Sequence, residues 1–106
     1  MIANTPSPPY YAVIFTSIRT DEDHDYAEIA ARMEELAMQQ EGFLGMESAR
    51  KDIAITISYW KDLDSIKKWK TQSEHMVAQK MGREYFYQMY KTRICLVERD
   101  YIFEKK

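Results

Sequence analysis

The two tryptophans of the chain, Trp60 and Trp69, lie nine residues apart within the segment ISYWKDLDSIKKWK. Large aromatic side chains at this spacing either clamp a helix onto a strand or form walls of a pocket for a flat ligand. His75 follows soon after Trp69, and an imidazole titrates close enough to neutral pH to accept a proton in a reaction. A histidine near a helix start is also a common surface or capping residue, so both interpretations remain open at this point.

A second group of polar residues, DEDHD, invites a metal interpretation, because Asp21, Asp23 and Asp25 have the alternating spacing of a calcium loop. The sixth position of such a loop would be Tyr26 instead of glycine, and the twelfth would be Arg32 instead of glutamate. We therefore interpret the segment as an anionic patch at a helix start, where the helix dipole favours negative charge. No metal site is predicted.

The spacing of apolar residues predicts the elements that must position these side chains. Alternation and β-branched residues indicate strands, whereas apolar residues repeated at the helical spacing indicate helices. The predicted elements are a strand at 10–19, a helix from Tyr26 that Gly42 ends, strands at 43–50 and 53–60, a short helix capped by Asp62 or Asp64, a helical stretch from Ser73 to Tyr87 or Tyr90, and a strand at 92–103.

This order of elements predicts an α+β, ferredoxin-like split βαβ fold (βαββ-α-α-β), an antiparallel sheet with helices on one face. The first strand is apolar on both sides, with Val13 and Phe15 on one side and Ala12 and Ile14 on the other. A strand of this kind has to be covered on both faces, and its own helices can cover only one. We therefore predict a homodimer in which two sheets stack.

Composition restricts the class of protein. A chain of 106 residues, 45% apolar and 30% charged, fits one globular domain. Pro6, Pro8 and Pro9 near the start predict a flexible N-terminal tail at 1–9, followed by a single domain at 10–106. A net charge of -2 without a basic stripe argues against nucleic acid as a partner.

Targeting signals and cysteine content predict the compartment. No run approaches the roughly 20 apolar residues that a membrane span needs, so no membrane partner is expected. The N-terminal residues lack the pattern of a secretory signal. The one cysteine, Cys95, cannot form an internal disulfide and suits a reducing compartment. We therefore expect a cytoplasmic protein.

Three segments, GFLGMESAR, IAITISYWKDLDSIKKWKTQSEHMVAQ and GREYFYQMYKTRICLVERDY, resemble the antibiotic biosynthesis monooxygenase family. The resemblance extends over about residues 10–103, and it implies the dimeric α+β barrel architecture of that family. One branch consists of cofactor-independent oxygenases, in which deprotonation of a reduced aromatic substrate gives a carbanion that reacts directly with dioxygen. The resemblance implies a monooxygenase of this type that acts on a small aromatic or quinol-like molecule and uses no metal, flavin or other cofactor.

Such chemistry needs a dry apolar pocket, a base, and donors that hold an enolate oxygen. Under the resemblance, His75 is the expected base, and Arg83 and Tyr85 are the expected catalytic donors. The expected lining of the ligand pocket consists of Trp69, Trp60, Tyr59, Ser58, which is also a possible donor, and Phe15.

A second branch of the family degrades haem and is recognised by an asparagine on the first strand, a tryptophan on the second helix and a histidine about ten residues later. Trp69 matches the tryptophan, but Gln79 occupies the place of the histidine, and the only asparagine, Asn4, lies in the tail. Haem degradation by that route is therefore not expected. The alternative to an oxygenase is a non-catalytic, stress-related dimeric module that binds haem or another flat ligand.

Overall fold

The computed structural model describes residues 2–106 and has the α+β, ferredoxin-like order that the sequence predicts. Within this range no helix is long and apolar enough to cross a membrane. The elements are β1 (Tyr10–Arg19), α1 (Tyr26–Met38), β2 (Phe43–Arg50), β3 (Ala54–Trp60), α2 (Leu63–Lys70), α3 (Ser73–Met81), a π-helical turn (Gly82–Phe86) and β4 (Tyr87–Val97).

The four strands form one antiparallel sheet in the order β2-β3-β1-β4. Cross-strand pairing aligns residues in rows, and partners in a row point to the same face of the sheet. One row runs through Glu47, Ile57, Ile14 and Arg93, from the β2 edge to the β4 edge. The register therefore fixes which side chains can meet on each face.

The helices lie on the face that carries Trp60, since its indole stacks with that of Trp69 in α2. We call this the helix-side face; β1 contributes Tyr11, Val13 and Phe15 to it, through their pairing with Trp60, Ser58 and Thr56. The other face is here called the open face. It consists of Tyr10, Ala12, Ile14, Thr16 and Ile18 of β1, Gly45, Glu47 and Ala49 of β2, Ile55, Ile57 and Tyr59 of β3, and Met89, Lys91, Arg93, Cys95 and Val97 of β4.

The open face keeps several apolar side chains in contact with solvent. Ile18, Ile55 and Met89 are 38%, 42% and 62% exposed. Residues 2–9 have no regular secondary structure, and Ala3 and Thr5 occupy the space in front of Gly45. The N-terminal segment thus covers one end of this face together with Asp100, which accepts a hydrogen bond from the Tyr10 hydroxyl, and within residues 2–106 Ile18, Ile55 and Met89 remain exposed.

Two predicted boundaries rest on local chemistry. Asp62 is the N-cap of α2, since its Oδ1 accepts a hydrogen bond from the Ser65 backbone N–H at 2.8 Å. α1 ends at Met38, earlier than predicted, and Gly42 instead forms the turn into β2 with φ +89°. A side chain at Gly42 would be strained at this φ and would collide with Ser65.

The predicted last strand at 92–103 was wrong at both ends, because β4 is Tyr87–Val97. β4 pairs with β1 along its whole length, and its last pair is Val97 with Tyr10. Pro8 and Pro9 precede Tyr10 and have no backbone N–H, so the chain before β1 has no N–H groups with which residues 98–103 could continue the pairing.

The helical stretch predicted from Ser73 to Tyr87 or Tyr90 is divided. α3 ends at Met81, and the chain then forms a π-helical turn before Tyr87 becomes extended at φ -122°. Gly82 lets this turn close onto the chain that follows, because a Cβ there would lie 3.1 Å from the Tyr87 ring. Tyr87 and Tyr90 are therefore strand residues, and Tyr85 and Phe86 belong to the turn.

Candidate functional site

Trp60, Trp69 and His75 form a continuous aromatic group, which we call the tryptophan stack. Trp60 is fully buried at the end of β3, and its indole N–H donates to Ser58 Oγ at 2.9 Å. The Trp69 ring lies 6.2 Å from that of Trp60 with an interplanar angle of 26°, and 4.0 Å from the His75 imidazole at 11°. The edge of Phe43 packs on Trp60 at 5.4 Å. The turn between β3 and α2 therefore places both tryptophans in one contact group.

His75 is held in a defined orientation at the start of α3. Its backbone N–H donates to Gln72 Oε1 at 2.8 Å, which caps the helix. Its Nδ1 lies 2.9 Å from the Trp69 carbonyl oxygen, and that contact requires a proton on Nδ1. In the neutral imidazole the lone pair is then on Nε2, which can accept a proton or bind a ligand.

Burial of His75 determines its charge. Desolvation lowers the pKa of the imidazole below its usual value of about 6.5, while the hydrogen bond to the Trp69 carbonyl acts in the opposite direction. Desolvation is the larger effect, so the ring is neutral at pH 7. A neutral imidazole stacked on an indole has the charge state that a general base requires.

The remaining expected pocket residues are divided between the two faces of the sheet. Phe15, Ser58 and Trp60 point to the helix-side face. Tyr59 points to the open face, where its hydroxyl donates to Glu47 Oε1 and its ring contacts Tyr10 edge-on at 5.7 Å. Burial and the Glu47 carboxylate raise the pKa of the Tyr59 phenol. Tyr59 and Trp60 are adjacent in the strand and therefore cannot line the same cavity.

The structure does not bring Arg83 and Tyr85 to His75. Both residues belong to the π-helical turn beyond α3, and Arg83 is exposed. Tyr85 stacks on His24 at 4.1 Å, and its carbonyl oxygen accepts a hydrogen bond from the Thr20 hydroxyl. The expected base and the expected donors thus lie at two different places along α3 and the turn.

Two hollows open on the surface, and the tryptophan stack lines neither of them. The first, of about 300 Å³, lies between α1 and α3 and is lined by Ile29, Met33, Val77, Ala78 and Met81, with Glu28, Arg32 and Glu74. The second, of about 220 Å³, lies at one end of the open face and is lined by Thr16, Ser17, Ile18, Ile53, Met89, Lys91 and Arg93. Among residues 2–106, no group of three or more His, Cys, Asp or Glu side chains is placed to hold a metal ion.

A cluster that the sequence analysis did not identify lies at the opposite end of the sheet. We call it the tyrosine–arginine cluster; it consists of Tyr26, Tyr87, Arg19, Arg50 and Phe86. The hydroxyls of Tyr26 and Tyr87 are 3.2 Å apart, and Arg50 Nη2 donates to the Tyr26 hydroxyl at 3.0 Å. The Arg19 guanidinium lies 3.5 Å from the Tyr26 ring centroid, and its Nε donates to the Phe86 carbonyl at 3.0 Å.

The topology contained a signal for this cluster. β1 and β2 run in the same direction, so their last residues, Arg19 and Arg50, reach the same end of the sheet. Tyr87 completes the group, and burial together with the Tyr26 phenol raises the pKa of its hydroxyl. The spacing of apolar residues predicts Tyr87 near a helix end, and from that position the cluster is not evident.

The family model described as "Antibiotic biosynthesis monooxygenase" matches residues 9–81. The chain belongs to this family. A member of similar length, the uncharacterized protein YqjZ of Bacillus subtilis (strain 168), is 43% identical over 106 residues, which cover 98% of this chain and 93% of that protein.

Solved structures confirm the fold of this family member. A variant of SnoaB from Streptomyces nogalater, described as a cofactor-independent oxygenase, superposes with a TM-score of 0.74 at 14% identity, covering 90% of this chain and 98% of that chain. Protein SO0527 from Shewanella oneidensis gives a TM-score of 0.75 at 4% identity, covering 93% of this chain and 100% of that chain. At these identities the comparison establishes the fold alone.

Proposed function

We propose that this protein is a homodimeric, cofactor-independent monooxygenase that oxidises a small aromatic or quinol-like molecule. Membership of the family and the likeness in fold to a cofactor-independent oxygenase support this reaction class. The observation that carries the proposal is His75, a desolvated neutral imidazole with its Nδ1 proton held by the Trp69 carbonyl and its ring stacked on an indole.

In the proposed reaction, His75 Nε2 removes a proton from an activated carbon. For a methylene group between aromatic rings, one methylene and one dioxygen molecule give one ketone and one water. The electron pair of the broken C–H bond stays on carbon, and the carbanion reduces dioxygen and forms a C–O bond. The peroxide takes the proton back from the imidazolium. Loss of the second C–H proton then breaks the O–O bond and leaves the carbonyl and water, so that carbon loses four electrons and dioxygen gains four.

The other expected site residues take roles that fit their positions. Trp69 stacks on the His75 imidazole and holds it in place, so it presents the edge of its ring to the substrate. Trp60, whose indole N–H is bonded to Ser58, supports Trp69 from the helix-side face. Phe15 packs against Tyr87 and Tyr90 and lines the same face further along the sheet. Ten helical residues separate Tyr85 from His75, which corresponds to about 15 Å. Arg83 and Tyr85 are therefore proposed as donors to the far end of an extended substrate and not to the carbon that reacts.

The homodimer and the cytoplasmic location are parts of the same proposal. The apolar open face supports the dimer, because a second copy would remove Ile18, Ile55 and Met89 from water. Cys95, the one cysteine, is half-buried on that face and supports a reducing compartment.

Turnover of a panel of anthrones and hydroquinones under oxygen, by metal-free protein, tests the oxygenase. We expect His75→Gln to lower kcat/KM by about 100-fold, the usual scale of general-base catalysis. The matched control is Glu34→Gln, an exposed change on α1, which is expected to leave turnover unchanged. No turnover above background by the wild type, or equal turnover by the two variants, would contradict the proposal.

A second candidate function is non-catalytic binding of haem or another flat ligand, and the free Nε2 of His75 beside an aromatic stack favours it. Haem titration would then give a Soret shift that saturates at one haem per chain. The shift should disappear in His75→Ala and persist in His24→Ala. A shift that is equal in both variants removes this candidate.

A further inference from the structure

Opposite charges occupy the two ends of one row on the open face. The register places Glu47 of β2, Ile57 of β3, Ile14 of β1 and Arg93 of β4 side by side across the sheet. Glu47 and Arg93 are separated by three strand spacings, about 14 Å, which is too far for an ion pair within one chain. Among residues 2–106, the ion pairs include neither Glu47 nor Arg93.

These two charges are unusual for the surface that holds them. The centre of the row is aliphatic, and the surrounding side chains of the face include Ile18, Ile55 and Met89. Glu47 uses one carboxylate oxygen to accept the hydrogen bond from Tyr59, and its other oxygen has no partner within residues 2–106. A carboxylate and a guanidinium on an apolar face that becomes covered need partners of opposite charge.

We propose that a second copy of this chain stacks on the open face about a two-fold axis parallel to the strands, so that Arg93 of each copy pairs with Glu47 of the other. The axis lies between the two sheets, above the centre of the open face where β3 and β1 are neighbours. Rotation by 180° about it places β4 of the second copy over β2 of the first and keeps every residue in its row. Arg93 of the second copy then faces Glu47 of the first, and the reverse pair forms by symmetry. This inference rests on the homodimer proposed above and specifies its orientation.

The spacing between stacked sheets permits these pairs. Packed sheets lie about 10 Å apart, a gap that a glutamate and an arginine pointing towards each other can span. The guanidinium can also bind the free oxygen of Glu47 while Tyr59 keeps the other oxygen. Ile57 and Ile14 of the two copies pack between the pairs, so both ion pairs flank an apolar centre.

The alternative orientation places like charges together. A two-fold axis perpendicular to the strands lays β4 of one copy over β4 of the other. Lys91 and Arg93 would then face the same two cations, and like charges at an interface oppose association. Lys91 lies one row from Arg93, so in the proposed orientation it faces Ala49 of the second copy, beside Glu47. The distribution of charge thus favours one of the two face-to-face arrangements.

Sedimentation velocity over a range of protein concentrations tests the orientation by charge exchange. Glu47→Arg and Arg93→Glu each place like charges at both pairs, and we expect each variant to raise the dimer Kd by about 100-fold or more. The double variant, Glu47→Arg with Arg93→Glu, restores opposite charges and should return Kd to within about tenfold of the wild type. Lys67→Glu, an exposed charge change on α2, is the matched control and should leave Kd unchanged.

Two further variants distinguish the loss of the ion pair from a loss of folding or of the neighbouring hydrogen bond. Tyr59→Phe removes the hydrogen bond to Glu47 without changing charge and should leave the protein dimeric. If circular dichroism shows that Arg93→Glu does not fold, Arg93→Gln takes its place in the test. Gln is close to Arg in volume and carries no charge, so this variant should fold and should still weaken the dimer.

The outcomes distinguish this inference from the proposal on which it rests. A wild type that stays monomeric at high concentration overturns both the homodimer and its orientation. A dimer whose Kd is insensitive to Glu47 and Arg93, or a double variant that fails to recover, overturns the orientation alone. Absence of oxygenase activity leaves the inference intact.

Discussion

The two ends of the sheet are stabilised in different ways. At one end the tryptophan stack connects α2 and α3 to β3 mainly through ring contacts, with the Trp60–Ser58 hydrogen bond inside it. At the other end the tyrosine–arginine cluster connects the π-helical turn and the start of α1 to the sheet through hydrogen bonds and cation–π contacts. The comparison indicates that the first end depends on volume and burial, and the second on hydrogen-bond geometry.

Trp60→Ala tests the first end and should have the largest effect. Removal of a fully buried indole creates a cavity beneath Trp69, and such truncations cost about 3–5 kcal/mol of the free energy of unfolding. Urea denaturation measures the loss. Leu63→Ala on α2, where the side chain is 52% exposed, is the control and should cost under about 1 kcal/mol. If Trp60→Ala costs as little as the control, the stack does not stabilise this end.

Tyr87→Phe tests the second end and should have a smaller effect. The ring and its volume remain while the hydroxyl bonded to Tyr26 is lost, so we expect a loss of about 0.5–1.5 kcal/mol in the same denaturation experiment. A double-mutant cycle with Tyr26→Phe isolates the coupling between the two hydroxyls. Strictly additive losses would show that the two phenols do not interact and would remove this feature of the cluster.

The sequence was sufficient to predict the contacts at the first end of the sheet and insufficient to predict those at the second, and the reason is physical. Trp60 and Trp69 are identified by residue type, and the cap of the following helix was predicted at Asp62 or Asp64, of which the structure selects Asp62, so the strand–turn–helix unit was predictable. The tyrosine–arginine cluster depends on cross-strand register and on a π-helical turn. Both are set by tertiary packing, such as the close approach of Gly82 to Tyr87, and neither has a simple periodic pattern.

The same reasoning applies to the candidate site and to the faces of the sheet. Alternation along the first strand predicted its two apolar sides, and the register confirms that Val13 and Ala12 point to opposite faces. Tyr59 was grouped with Trp60 by resemblance although strand alternation separates adjacent residues. The contact between His75 and the Trp69 carbonyl could not be predicted, because it depends on the angle at which α3 leaves α2.

The smallest expected effect concerns the charge of His75 and connects the tryptophan stack to the proposed chemistry. Burial lowers the pKa of this imidazole in the folded protein, so the unfolded chain binds the proton at higher pH than the folded protein does. The free energy of unfolding should therefore be greatest above about pH 6.5 and should fall as pH decreases through the lowered folded pKa. Urea unfolding between about pH 5 and pH 8, at one protein concentration, measures this slope while most carboxylates remain ionised.

His75→Gln should remove this part of the slope, and His24→Gln, the matched control, should retain it. If the slope is unchanged in His75→Gln, the imidazole is not desolvated in the folded state, and the basis for assigning it as the general base is lost.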